Sequence, residues 1–292
     1  MKKFKFITAT ILLLAVTSVV GGCSNNKILN RLTEKGYFAN SYDNAILQTD
    51  IASKITSHFA ESSSVKKKAM LITVDGFRAE SLEYIWDSDI GISRISKDGG
   101  LYWTKPANLE SKSKVDMGVN FLSIVTGEEP STFGVFKNTD VKRETPYSVM
   151  ATMSEKYRVK FLTDNKNYID KHLSAEFKVK ASQRLNYVDC TDLNGVRKEC
   201  LNNLDENDFI AVAISDPYMV ADGNYKISNS PYLSAIIHLN YYLSNIYNNI
   251  STRSNEDWLV IVASTCGGKT KLALGSEEGN ILTFMLSNKK MQ

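Results

Sequence analysis

The sequence predicts an α/β fold: a doubly wound, mostly parallel sheet with helices on both faces. Three observations carry this. Short, continuous apolar runs bounded by polar or turn residues recur along the chain, as expected of strands buried on both faces. Helical stretches separate them, and strand–helix alternation favours parallel crossovers. Three of the runs end on polar clusters: Asp75-Gly76, Ser215-Asp216 and Ser264-Thr265-Cys266. Open α/β sheets bind ligands outside the carboxyl ends of their strands, so these clusters mark where a site belongs.

In chain order, residues 24–66 are polar, with one amphipathic patch that predicts a helix around Tyr42–Ala60. Ser62-Ser63-Ser64 and Lys66-Lys67-Lys68 follow, and the folded domain is expected to start at Ala69. Ala69–Val74 is the first strand. Tyr147–Lys156 is a helix, leading into a strand at Arg158–Leu162. Phe209–Ile214 is a third strand. Pro231–Ile250 is a long helix whose Tyr232, Ala235, Ile236, Leu239, Leu243, Ile246 and Ile250 form one apolar stripe. Trp258–Ala263 and Ile281–Leu286 complete the strands. There is no internal repeat and no long low-complexity tract.

The first residues read as an export signal. Lys2, Lys3 and Lys5 precede an apolar run from Phe6 to about Val20, too short for a membrane-spanning helix. It ends in Val20-Gly21-Gly22-Cys23, which resembles the bacterial lipobox. The resemblance implies signal removal after residue 22 and diacylation of Cys23, with a stable hold on a membrane once more than one acyl chain is attached. An ordinary signal peptide with an incidental Cys is the alternative. Ser24, following the Cys, resembles the residue of outer-membrane lipoproteins. The expected location is the bacterial cell envelope, lipid-anchored at the outer membrane and facing the periplasm or the surface.

Without the signal the charge balance changes. The whole chain carries 35 basic and 32 acidic residues. Three of the basic ones lie in the signal, leaving 32 against 32. That balance gives no reason to expect a nucleic-acid partner. An apolar content of 43% is ample for a core. The expected organisation is a signal at 1–22, a lipidated tether at 23–68 and one α/β domain at 69–292.

Leu71–Arg78 (LITVDGFR) and Phe121–Gly134 (FLSIVTGEEPSTFG) resemble segments of the alkaline phosphatase superfamily of the phosphodiesterase and sulfatase kind. The resemblance covers most of residues 69–288 and implies an alkaline-phosphatase-like fold. Members hold two metals, usually zinc, through aspartates and histidines, and attack with a Thr, Ser or modified Cys. Asp75 matches the first metal-binding Asp, although a strand-end turn Asp before Gly would look the same. The nucleophile position, ten residues before Gly127, is Met117, and a thioether cannot be activated as a nucleophile. A gapped alignment offers Ser111 or Ser113. Asp116 is adjacent to Met117 and reads as a loop acid or helix cap.

Asp216 or Asp222 can stand for the next metal-binding Asp, but no His accompanies either. The family's Ser-Asp-His-Gly becomes Ser264-Thr265-Cys266-Gly267, so Thr265 and Cys266 occupy degenerate ligand positions. Phe133 replaces a further His. The only histidines are His58, His172 and His238, and none matches a family ligand. Cys266 reads as a soft ligand or as a buried, inert thiol. Gly267-Gly268-Lys269-Thr270 lacks the first Gly of a phosphate loop. Cys190 and Cys200 flank a polar loop and are expected to form a disulfide in an exported protein, two free thiols being the alternative.

The resemblance therefore implies an enzyme scaffold without its nucleophile and imidazoles. The leading expectation is a membrane-anchored protein that has no cofactor and acts by binding a partner protein or an anionic ligand. The first alternative is a hydrolase holding one hard divalent cation on Asp75, Asp216 and Asp222, since oxygen-only sites suit magnesium or calcium. The second is a structural lipoprotein of an envelope assembly.

Overall fold

The computed structural model describes residues 27–86, 89–107, 115–137, 139–143, 145–179, 184–268 and 278–291. The signal, Cys23, Ser111, Ser113, Lys269 and Thr270 lie outside them. Eight strands form one sheet: β1 (Ile46–Leu47), β2 (Lys66–Asp75), β3 (Gly100–Lys105), β4 (Val159–Thr163), β5 (Leu185–Asp189), β6 (Phe209–Ile214), β7 (Glu256–Cys266) and β8 (Thr283–Ser287). The helices are α1 (Lys27–Glu34), α2 (Ile51–Ala60), α3 (Leu82–Ile85), α4 (Ile92–Ser96), α5 (Met117–Thr126), α6 (Pro130–Phe133), α7 (Val149–Met153), α8 (Ser174–Val179), α9 (Leu193–Asn203), α10 (Asp216–Ala221), α11 (Ser230–Ser251) and α12 (Glu278–Ile281). A π-helical turn, Tyr168–Leu173, leads into α8.

The sheet order is β1-β3-β8-β7-β2-β6-β4-β5. All pairings are parallel except those of β8, which runs antiparallel to both β3 and β7. The expected doubly wound, mostly parallel sheet is what the chain forms. Side-chain alternation builds a separate core on each face. Met70, Ile72 and Val74 of β2 join Ile210, Val212 and Ile214 of β6 on one face, beneath the Leu239 and Leu243 stripe of α11. Ala69 and Leu71 join Phe209, Ala211 and Ala213 on the other, against α2, α5 and α7. Helices therefore cover both faces, and the stripe read on α11 is buried throughout.

The segment expected to be a tether is instead part of the fold from Lys27 onward. Leu32 of α1 is fully buried in the first core. Phe38 stacks on Trp103 at a centroid distance of 3.7 Å, and Asn40 brackets the Trp103 backbone, accepting its N–H at 2.7 Å and donating to its carbonyl at 3.2 Å. β1 adds an edge strand, and α2 buries Ile51 and Ile55. Polarity hid this, because these residues pack through a few widely spaced aromatic and aliphatic anchors.

His58, expected in the tether, is likewise buried on α2, with Nε2 3.1 Å from both the Lys68 and Asp257 carbonyls. Burial and the neighbouring Lys289 and Lys67 ammonium groups push its pKa down. His172 is buried in the π-turn, where burial lowers its pKa to about 4.

The expected Cys190–Cys200 bridge is not formed. Both thiols are free and buried. Cys200 sits on the inner face of α9 with its sulfur 3.1 Å from the Tyr242 hydroxyl of α11, so it is engaged by a helix–helix contact rather than facing the loop. Burial pushes its thiol pKa up to about 12.

A loose tether and a docked segment differ in stability. Leu32→Ala is expected to lower unfolding stability by about 2–4 kcal/mol, as for a buried leucine emptied into a cavity. Urea denaturation followed by circular dichroism checks this, and an unchanged midpoint would contradict the docking.

Candidate functional site

β2 ends at the centre of the sheet, flanked by β6 and β7, and its last residue is Asp75. The carboxylate is 1% exposed, so it needs compensation. Three hydroxyls provide it. Tyr168 donates to Oδ2 at 2.6 Å, Ser215 donates to Oδ2 at 2.5 Å, and Thr265 donates to Oδ1 at 2.5 Å. They come from the π-turn, the end of β6 and the end of β7. A carboxylate offers about four lone-pair positions, and three are taken.

The backbone arranges Thr265 for this contact. Val74 pairs with Ser264 and Asp75 pairs with Cys266, so Thr265 is the extra residue of a β-bulge. Bulges re-aim side chains at the ends of strands. The bulge takes the Thr265 carbonyl out of register, and two buried amides receive it: Asn120 Nδ2 of α5 at 2.6 Å and Gln48 Nε2 at 3.2 Å. Gln48 also donates to the Ser264 carbonyl at 3.0 Å. The amino-terminal segment thus holds the strand end in place.

A second carboxylate lies one layer out. Asp164 accepts the backbone N–H groups of Ser215 at 2.7 Å and Asp216 at 3.1 Å. Burial raises its pKa to about 7, and the Asp75 and Asp216 carboxylates add to the effect. Burial also raises Asp75, to about 6, with the hydroxyls pulling the other way and Asp116 adding repulsion.

Arg78, from the same motif as Asp75, is buried and ties the loops after β2 and β7 together. Its Nε donates to the Gly267 carbonyl at 3.1 Å and its Nη2 to the Gly268 carbonyl at 3.0 Å. The turn before it needs Gly76: φ is +71°, and a Cβ there would come within 2.9 Å of the Tyr218 backbone. Tyr232 of α11 donates to the Gly76 carbonyl at 2.8 Å.

The residues matched to catalytic positions form an apolar plug. Met117 at the start of α5, Val115 and Cys266 are buried together, with Tyr218 and Ile281 packed against them. Burial and the nearby Asp75 charge push the Cys266 thiol up to about 12, which makes it a packed thiol rather than a reactive one. Phe133 is fully buried in the second core. Ser215 and Thr265, although hydrogen-bonded to a carboxylate as an activated hydroxyl would be, are both fully buried.

The three carboxylates named as a vestigial metal set are not brought together. Asp216 lines a groove of about 520 Å³ between α9, α10 and α11, with Asp192, Arg197, His238 and Tyr241. Asp222 is exposed at the carboxyl end of α10, in the left-handed conformation at φ +44°. Among the described residues, no group of three or more His, Cys, Asp or Glu side chains is placed to hold a metal ion. The surroundings of Asp75 do not fit a two-metal centre: three of its lone-pair positions are taken by hydroxyl protons, and the adjoining positions are a thioether and a packed thiol. Sequence reasoning found Asp75 and Thr265. It missed Tyr168, which lies in a polar run, and Asp164, Gln48 and Asn120, whose roles depend on contacts distant in sequence.

The raised carboxyls set a pH dependence. A folded-state pKa above the unfolded value near 3.8 means that the folded protein binds the proton more tightly. The contribution is complete below the unfolded value and is lost as pH rises through about 6 for Asp75 and about 7 for Asp164. The urea midpoint is therefore expected to fall between pH 5 and pH 8, and less so in Asp164→Asn. Asp75→Ala strands three buried hydroxyls and is expected to cost about 2–4 kcal/mol. An Asp75→Ala variant as stable as the parent would refute the network.

No family model matches the chain, and no curated protein matches it in sequence. Solved structures share its architecture. A protein of the alkaline phosphatase superfamily from Vibrio parahaemolyticus is similar with a TM-score of 0.53 at 12% identity, over 83% of this chain and 68% of that one. Alkaline phosphatase from the Antarctic bacterium TAB5 is similar with a TM-score of 0.50 at 10% identity, over 76% of this chain and 91% of that one. At such identities the likeness carries architecture and not chemistry, and the chain has the fold of the alkaline phosphatase superfamily.

Proposed function

We propose that this protein is a lipid-anchored, non-catalytic relative of the superfamily's hydrolases, acting by binding a partner protein or an anionic ligand. One observation supports the reading above the others: the retained carboxylate, Asp75, is enclosed by hydroxyls from Tyr168, Ser215 and Thr265. One of those hydroxyls belongs to Thr265, at a position where the resembling enzymes carry a metal-binding Asp. The position matched to the nucleophile is a buried methionine, Met117, which has no proton to lose and no oxygen to attack with. The lipobox-like Gly22-Cys23 supports the anchor, and the near-neutral charge outside the signal supports a partner other than nucleic acid.

The purified protein, incubated with bis-(p-nitrophenyl) phosphate and zinc, magnesium or calcium, is expected to release nitrophenol no faster than buffer. Elemental analysis after metal-replete growth is expected to find no stoichiometric metal. Metal-dependent turnover abolished by Asp75→Ala would overturn the reading in favour of a hydrolase with a carboxylate-only site.

A further inference from the structure

The amino-terminal segment is docked at one particular edge of the sheet. Two backbone N–H groups in the first turn of α1, those of Ile28 and Leu29, both donate to the Glu278 carboxylate at 3.0 Å. Glu278 opens α12, and Asn280 in the same turn accepts the Gly267 N–H at 3.1 Å. Gly267 directly follows the carboxyl end of β7. Arg31 of α1 makes a second tie, an ion pair of 3.0 Å with Glu83 in the segment that follows the carboxyl end of β2. Leu32 closes the arrangement by inserting into the core. Both ties therefore place α1 on the side of the molecule where the Asp75 network lies.

The path from Cys23 to this helix is short. Lys27, the first residue of α1, is only four residues beyond Cys23. Four residues span about 14 Å even when fully extended. An acylated Cys23 sits at the bilayer surface, so Lys27, the start of α1, can stand no further from the headgroups than this. The exposed side of the segment suits such a surface. Lys27, in the first turn of α1, and Lys35, in the turn that follows the helix, are exposed, and Arg31 stays half-exposed while paired with Glu83. Juxtamembrane cations of this kind are attracted by anionic lipids.

We infer that the protein is held with the carboxyl edge of its sheet, the edge carrying α1 and the Asp75 network, apposed to an anionic bilayer, leaving the opposite edge to face away. This rests on the anchor in the proposed function and adds an orientation to it. Any ligand of the strand-end region then comes from the membrane surface or from between the domain and the membrane.

Nitroxide reporters on the full-length protein test this. The three native thiols in the domain are buried, so introduced cysteines take the label. Asn30→Cys and Ser228→Cys report the carboxyl edge, and Ser63→Cys reports the opposite one; all three positions are exposed. The lipidated protein is reconstituted in phosphatidylethanolamine/phosphatidylglycerol vesicles containing a nickel-chelating lipid. Reporters at 30 and 228 are expected to relax severalfold more strongly than the reporter at 63. Inserting a Gly/Ser linker of about twenty residues after Asn26, which allows a span on the order of 25 Å, is expected to abolish the difference. Lys27→Gln with Lys35→Gln is expected to reduce it.

Equal relaxation at all three positions, or strongest relaxation at 63, overturns the orientation. A ranking unchanged by the linker overturns the short-tether argument. The mass of the amino-terminal peptide reads acylation separately: an unmodified Cys23 removes the anchor itself, whereas an acylated Cys23 with uniform reporters leaves the anchor standing and removes only the orientation.

Discussion

A carboxylate taken out of water has to be answered by its neighbours, and the carboxyl end of this sheet is organised around that requirement at Asp75. The answer comes from three chain segments far apart in sequence. Tyr168, Ser215 and Thr265 each spend their one hydroxyl proton on it. Hydrogen bonds to an ionised acceptor are individually stronger than neutral ones, in the range of about 1.5–3 kcal/mol, and here they oppose a burial penalty of similar character. The balance is incomplete, because burial still leaves Asp75 above its ordinary pKa. Asp164, one layer out, is raised by the same burial and by repulsion from Asp75 and Asp216. The two acids are linked through Ser215, whose hydroxyl bonds one and whose backbone bonds the other.

The network explains a backbone irregularity and a distant segment together. Thr265 reaches Asp75 because β7 carries one residue more than β2 at that step. The irregularity leaves a carbonyl that the ladder no longer serves, and a buried carbonyl without a donor is costly. Asn120 and Gln48 supply the donors. Gln48 can do so only because α1, β1 and the Phe38–Trp103 stack bring the amino-terminal segment against the sheet. The residues that look least structured in the sequence thus help to hold the strand end on which the site depends.

What the sequence revealed follows from how local each signal is. β2, β6 and β7 are legible as apolar runs because strands buried on both faces need no alternation. α11 is legible because its buried and exposed residues keep a helical period. α5 is not, because nearly all of its side chains are buried and a helix that is apolar all round has no period to detect. β5 is masked by exposed Asn186 and Tyr187 at a sheet edge. The reversed direction of β8 is set by its partners and has no trace in its own residues. Asp75 and the Thr265-Cys266 substitution were readable because they sit in a motif. Tyr168 carried no such mark, since a tyrosine in a polar run becomes a ligand of Asp75 only once the π-turn brings it across the sheet.

The same reasoning separates Cys190 and Cys200 from the loop between them. Their spacing and an exported context favour a bridge, yet α9, capped at Asp192, whose side chain accepts the Gly195 N–H at 2.7 Å, turns Cys200 inward. A helical residue two turns past its cap has its direction fixed by the helix, and here that direction meets Tyr242 of α11. Cys200 and its helix neighbour Val196 are both fully buried in the core that also holds Cys190. The polar sequence between the two cysteines does not report this inner-face packing, in which both thiols are buried and free.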